Sequence, residues 1–281
     1  MRARQPSITA RRAAAHRAAH QVLEGGAVFT DPLAAVLLGE DPAAIAAAAA
    51  ADPERRPMRL FIAARSRFAE DALGVAVARG VRQAVVLGAG LDSLGLRNPH
   101  AQVGLRVFEV DHPATQAFKR ERLAPAGIAV PASLTFAPVD FEREELAGAL
   151  RAAGLDAGRP SFWIWLGVVP YLTGEAIDAT LACIAGQEAP EVVFDYGEPP
   201  DRHPPHRRAR VAAMSARVAA AGEPWITHFD PGELQARLRG LGFTELEDLG
   251  PTELAARFFG AGADAAPRGA GPHVIRARRA A

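Results

Sequence analysis

The chain has 281 residues, with 32 Lys+Arg against 32 Asp+Glu, so it can bury a substantial core and carries no net charge that would steer it to nucleic acid or a membrane surface. Its one lysine, Lys119, rules out a Gly-Lys-Ser/Thr phosphate loop, and its one cysteine, Cys183, rules out an internal disulfide or a cysteine-rich zinc site. The longest apolar run, residues 43–51, is too short and too rich in alanine to span a bilayer, and a reducing cytoplasm is the expected setting.

Residues 1–80 read as a helical N-terminal cap. Arg2, Arg4, Arg11, Arg12 and Arg17 precede the first acid, Glu24, as in an organellar transit peptide, but no cleavage-like break follows. A basic helix over 9–23, lying across a ligand crevice, is the expectation. Gly25-Gly26 stops it, Asp31-Pro32 opens a short helix over 33–38, and an alanine-rich helix follows over 41–51. The most regular helix covers 58–79, with Phe61, Ala64, Phe68, Ala72 and Val75 on one face and Gly80 ending it. Arg65 and Arg67 lie just off that face, where solvated arginines are ordinary.

From Val81 onward strands and helices alternate, the pattern of an α/β domain over 81–281. Strands are expected at 84–88, 106–110, 134–138, 161–166, 191–196, 243–249 and 273–278, and helices at 114–123, 142–153 and 175–186. Trp163 and Trp165 alternate along a buried strand and read as core. Residues 197–229 form a lid-like insertion rich in proline, histidine and arginine. Asp230-Pro231-Gly232-Glu233 then has the form of a capping box with proline at N1. The final two strands, read as joined directly through a loop around 260–271, are expected to be antiparallel, giving a seven-stranded mixed sheet.

The first strand runs into Gly88-Ala89-Gly90. Glycines there let the chain turn sharply and approach a ligand at the carboxyl end of the sheet. Ser93 stands where a nicotinamide fingerprint has its third glycine. The second strand ends in Glu109 and Asp111, roughly 20 residues beyond the turn, a spacing at which an acid reaches both hydroxyls of a ribose. Asp140-Phe141 ends the third strand on the same edge: a carboxylate for an exocyclic amine and a ring for a base face. Alone it could equally be an acid at a helix N-terminus; with the other two strand ends, a ligand site is the better reading. Tyr171, after the fourth strand, is a polar group at the centre of the crevice. His112 is either a ligand contact or a turn residue. His203 and His206 stand three apart, too few for a metal site, and none is expected.

These residues together resemble one group of class I S-adenosylmethionine-dependent methyltransferases, the leucine carboxyl methyltransferase family with its bacterial polyketide O-methyltransferase relatives. The resemblance rests on residues 81–93, Phe108-Glu109-Val110-Asp111-His112-Pro113, Val139-Asp140-Phe141, residues 167–172 and Phe194-Asp195-Tyr196. Arg17-Ala18, Asp31-Pro32, Arg65-Ser66-Arg67 and Gly222-Glu223-Pro224-Trp225 add to it. It implies S-adenosylmethionine as cofactor. Gly88, Ala89 and Gly90 would pass under its methionine part, and Arg65 would pair with its carboxylate. Asp111 would hold the ribose, with Glu109 as second choice, and Asp140 and Phe141 would hold the adenine. Tyr171 would border a small-molecule acceptor, a carboxylate or a phenol; a carboxylate needs no general base, whereas a phenol needs one, for which Tyr171 and His112 are the catalytic candidates. Relatives often carry a glutamate where this chain has Leu166. A nicotinamide oxidoreductase and a non-catalytic cofactor-binding protein are the rival expectations.

Overall fold

Alternation of side chains along the strands divides the core into two layers. The computed structural model describes residues 8–139, 145–220, 222–260 and 270–280. Seven strands form one sheet: β1 (Gln83–Leu87), β2 (Arg106–Asp111), β3 (Leu134–Pro138), β4 (Ser161–Trp165), β5 (Glu191–Gly197), β6 (Glu245–Leu249) and β7 (Pro272–Arg278). Their order is β3-β2-β1-β4-β5-β7-β6. The first five are parallel, and β7 runs antiparallel between β5 and β6.

Central strands of a parallel sheet are covered on both faces, which is why β1, β4 and β5 read as nearly continuous apolar runs. One face of the sheet presents Val85, Phe108, Trp163, Trp165 and Phe194 to α7 (Leu146–Ala152), α8 (Gly174–Ala185) and α10 (Pro231–Gly240). The other presents Ala84, Val86, Val107, Phe162 and Ile164 to α4 (Arg56–Ala78) and α11 (Pro251–Phe259). Each fully buried Leu, Ile or Phe contributes about 1.5–3 kcal/mol. The two tryptophans are core residues, as their alternation indicates.

A third cluster joins α1 (Ile8–Leu23), α2 (Ala34–Leu38) and α3 (Pro42–Ala50) through Ala14, Ala18, Leu37, Leu38 and Ile45. It includes Leu91 beside the glycine turn and Leu123 of α6 (Pro113–Leu123), so these helices dock at the carboxyl edge of the sheet. The short α5 (Leu94–Arg97) and α9 (Pro205–Ala220) complete the helices described. Caps sit where polar residues precede the helices: Asp41, Thr173 and Asp230 each accept from a backbone N–H of the following turn.

Three expectations change. The last two strands are joined by α11, not by a direct loop; Gly250 precedes it, Pro251 begins it, and Leu254 and Ala255 are its buried face. The 197–229 excursion holds the 16-residue helix α9. Val75 is 53 % exposed, at the edge of the α4 stripe. No described helix is long and apolar enough to cross a membrane.

Candidate functional site

The β1–β2 edge is held by short-range backbone contacts. Gly88 and Gly90 both take left-handed φ, +61° and +50°. Gly90 N donates to Asp111 Oδ2 at 2.6 Å, and His112 N donates to Asp111 Oδ1 at 2.7 Å. Ala89 N donates to the Val110 carbonyl. The half-buried Asp111 carboxylate therefore sits against the turn. Burial raises its pKa, opposed by the backbone donors. His112 is the N-cap of α6: its Nδ1 accepts from Ala114 N.

Glu109, the second choice for the ribose, does not share that position. Its side chain points into the protein, is fully buried, and meets Lys119 Nζ at 2.5 Å. Burial drives its pKa upward, against the pull of Lys119. Lys119, itself 1 % exposed, also donates to the Asp92 carbonyl at 2.5 Å. The single lysine is thus a buried brace for the segment leaving the glycine turn. Asp140 and Phe141 lie outside the described residues.

The α1–α2 cap is tied to the same turn. Arg17 donates to Asp31 at 2.8 Å and to the Leu91 carbonyl at 2.7 Å, while Ser93 Oγ donates to Asp31 at 2.6 Å. Burial alone would raise the Asp31 carboxyl, but Arg17 and Ser93 bring it below its ordinary value. Arg17, Asp31 and Ser93 are therefore structural ties. An added Cβ on Gly90 would come within 2.9 Å of Ala10 Cβ, so α1 crosses directly over the turn.

The β4–β5 edge opens into a cavity of about 280 Å³. Its floor is Gly167, Pro170, Tyr171, Asp195 and Tyr196. Thr9, Arg12, Ala13 and His16 of α1 form one wall, and Met58, Phe61, Ile62 and Arg65 of α4 another. Val211, Met214, Arg217 and Val218 of α9, with Trp225 and His228, close it. Of the residues assigned to the cofactor or the acceptor from the sequence, Arg65 and Tyr171 line this space; Gly88, Ala89, Gly90, Glu109 and Asp111 do not. Arg67 is the solvated member of its pair, bridging Asp71 at 2.7 Å, whereas Arg65 is buried and bridges Asp195 at 2.6 Å.

Four arginines (Arg12, Arg55, Arg65, Arg217) and two acids (Asp195, Glu198) line the cavity; Arg65 is paired with Asp195, Arg55 with Asp52, and Glu198 with His273. His16 is pushed down to about 4 by burial, with Arg55, Arg59, Arg65 and Arg12 adding to the shift. His228 is lowered by burial and by His203. His203 is buried, and its Nδ1 has no hydrogen-bond partner. Tyr196 donates to Asp248 at 2.6 Å and stacks on His273, which bridges Asp248 and Glu198. Among the described residues, no cluster of three or more His, Cys, Asp or Glu could hold a metal ion.

A strap from Gly222 to His228 lines the cavity through Trp225 and His228. Glu223 accepts from Ile8 N at 3.1 Å and from Thr9 N at 2.8 Å, capping the start of α1. Trp225 Nε1 donates to Tyr171 Oη at 3.0 Å, and Ile226 N donates to the Pro170 carbonyl. His16, Met58, Met214 and His228 were not singled out in the sequence. One signal existed: Thr9, Arg12, Ala13 and His16 recur at helical spacing along one face.

Comparisons with known proteins place this geometry. The profile of the family described as leucine carboxyl methyltransferase matches residues 10–185. YktD of Bacillus subtilis strain 168, described as an S-adenosyl-L-methionine-dependent methyltransferase, is 33 % identical over 198 residues, covering 70 % of this chain and 65 % of YktD. A Mycobacteroides abscessus protein of the same description is 34 % identical over 187 residues, covering 66 % of this chain and 57 % of its own. The chain thus spans less than two thirds of the length of these relatives. In fold it is similar to a protein described as a methyltransferase from Thermobifida fusca YX (TM-score 0.60, 18 % identity, covering 99 % of this chain and 96 % of that one). It is also similar to a DUF574 protein from Streptomyces avermitilis MA-4680 (TM-score 0.58, 16 % identity, 98 % of both).

Proposed function

The chain belongs to the leucine carboxyl methyltransferase family, and from that premise we propose that it transfers the methyl group of S-adenosylmethionine to an oxygen of a small molecule, a carboxylate in preference to a phenol. Family membership sets aside the nicotinamide reading of the glycine turn. The residues fit the cofactor. A strand-end carboxylate, Asp111, abuts a left-handed glycine turn, and Arg65 keeps a buried Nε without a partner beside the cavity. Asp111 would take the ribose, Arg65 the methionine carboxylate, and Asp140 with Phe141 the adenine. When bound, the cofactor supplies a methyl group already activated on sulfonium.

The protein's remaining task is alignment and exclusion of water. The observation that carries the acceptor class is the arginine-rich lining of the cavity, Arg12, Arg55, Arg65 and Arg217 against Asp195 and Glu198, where His16 is held neutral around pH 7 chiefly by burial. An anion is welcome there, and a carboxylate is ionised without a general base. Phe61, Met58 and Met214 suit an apolar body. Tyr171 accepts a hydrogen bond from Trp225, so its own O–H is free to orient the acceptor. This makes it a positioning group for the acceptor and removes the need for it as a base. The phenol alternative has one specific support, the unpartnered Nδ1 of His203, which could accept a phenolic proton.

Calorimetric titration with S-adenosylhomocysteine, on the native protein and Asp111→Ala, tests the cofactor side. Loss of a charge-assisted contact is worth about 1.5–3 kcal/mol, a weakening of roughly 10–100-fold. Labelled methyl transfer to matched carboxylic acids and phenols then tests the acceptor side, with the acids expected to turn over faster. A folded protein that does not bind S-adenosylhomocysteine overturns the proposal.

A further inference from the structure

Pairing off the charges around the cavity leaves two over. Arg65 is taken by Asp195, Arg55 by Asp52, and Glu198 by His273. Arg12 of α1 and Arg217 of α9 line the same cavity from different walls. Among the described residues neither has an ion pair or a side-chain hydrogen bond, and neither acid of the lining is left to answer them. Arg217 is exposed in the last turn of α9, where the helix dipole favours a cation. No such reason holds for Arg12. It is half-buried near the positive end of α1, whose first turn contains no acid. Glu223, which caps that end from the strap, is engaged by Ile8 N and Thr9 N. His16, one turn on from Arg12, is neutral around pH 7. The two guanidiniums are therefore the uncompensated charges that a ligand entering the cavity meets.

The chemistry of the transfer says which part of a ligand they suit. Methylation removes the charge of a carboxylate. A guanidinium bound to the reacting carboxylate would stabilise the charged ground state and lose its contact as the ester forms, so it would oppose the reaction. The reacting end belongs at the floor, beside the Tyr171 hydroxyl, and the free arginines suit a group that keeps its charge throughout. Contacts to a part of the substrate that does not react hold the reacting end in line. Met58, Phe61 and Met214 provide apolar lining for the body between the two ends.

Resting on the methyltransferase reading above, we propose that the acceptor has two anionic ends: a carboxylate that is methylated, and a second group, carboxylate or phosphate, held by Arg12 and Arg217. An oxygen lone pair of the reacting carboxylate forms the new C–O bond. The bond from sulfur to the methyl carbon breaks with its electrons left on sulfur, and no proton moves. The product is a monoester that keeps its second charge.

The test titrates acids by calorimetry into the protein saturated with S-adenosylhomocysteine. Adipate, suberate and sebacate are compared with hexanoate, octanoate and decanoate, and phosphono-octanoate carries a phosphonate in place of one carboxylate of suberate. For at least one length the native protein should bind the diacid roughly 30-fold more tightly than the monoacid, the product of one half-buried and one exposed charged contact. Arg12→Gln should lower that ratio about 10-fold and Arg217→Gln about 3-fold, whereas Arg12→Lys should keep most of it. Affinities for the monoacids and for S-adenosylhomocysteine should stay as in the native protein. Phosphono-octanoate binding more tightly than suberate makes the second group a phosphate; otherwise it is a carboxylate. A native ratio near two at every length, the statistical value for two equal ends, overturns the proposal, as does failure of every diacid to bind. So does an Arg12→Gln variant that weakens monoacid and diacid by the same factor, or that loses S-adenosylhomocysteine instead, because Arg12 then serves the whole cavity or the cofactor. Absence of S-adenosylhomocysteine binding by the native protein is a different failure, that of the cofactor assignment itself.

Discussion

On the β1–β2 edge, the groups that matter bind one another through the backbone. Gly90 and His112 donate to Asp111, and Lys119 reaches Glu109 and the Asp92 carbonyl. On the β4–β5 edge, the cavity is assembled from side chains on α1, α4, α9 and the strap, and the strap is joined to α1 by a contact spanning 215 positions. The first edge is rigid by construction, and its contacts are nearly sealed. The second depends on long-range docking of the N-terminal helix and the strap. Each edge holds a buried ion pair, Glu109–Lys119 on the first and Arg65–Asp195 on the second, so the difference lies in the chain distance of the contacts around them.

The largest expected effect breaks the rigid edge. Lys119→Met leaves Glu109 buried without its counter-charge and should cost about 3–5 kcal/mol in urea unfolding, with most of the loss recovered by adding Glu109→Leu. A loss below about 1 kcal/mol would mean that this edge is no firmer than its neighbour.

A second measurement probes the docked edge through pH. The folded-state pKa of His16 is about 4, against an ordinary 6.5. Between those values the unfolded chain binds the extra proton, so stability is fully present above pH 6.5 and declines as pH falls toward 4. The gap corresponds to roughly 3 kcal/mol at most. His16→Asn should flatten that part of the stability–pH curve. An unchanged slope would show that His16 is not held among the arginines in solution.

The smallest effect sharpens the contrast between the edges. Trp225→Phe removes the hydrogen bond to Tyr171 and should cost about 1 kcal/mol, raising the acceptor KM roughly fivefold. The affinity for S-adenosylhomocysteine should stay as in the native protein. A matching loss in cofactor affinity would show that strap and cofactor site are one unit.

Much of this molecule was legible in advance, for reasons tied to range. The strands, the glycine turn and the caps at Thr173 and Asp230 are written in near neighbours, and the structure places them at or within two residues of expectation. Family resemblance led to Arg65, which helical periodicity alone grouped with the solvated Arg67. The helix α11 was missed although Pro251 marks its start, because the glycine-rich stretch after it dominated the reading of that region. Glu109 and Asp111 are equivalent in a strand pattern apart from their spacing. Which one meets Lys119 depends on the helix α6 that packs beneath.

The sequence by itself determined the alternating architecture, the position of the crevice at the carboxyl ends of the strands, and the family. The first two follow from hydrophobic period and turn chemistry, which act between residues close in the chain; the family follows from the resemblance of the motifs. Tertiary structure decided which charges are paired. Asp195 beside Gly167, His16 among four arginines and Glu223 at the start of α1 are meetings of segments remote in sequence. Their energies come from burial and electrostatics, which exist only once the chain has packed.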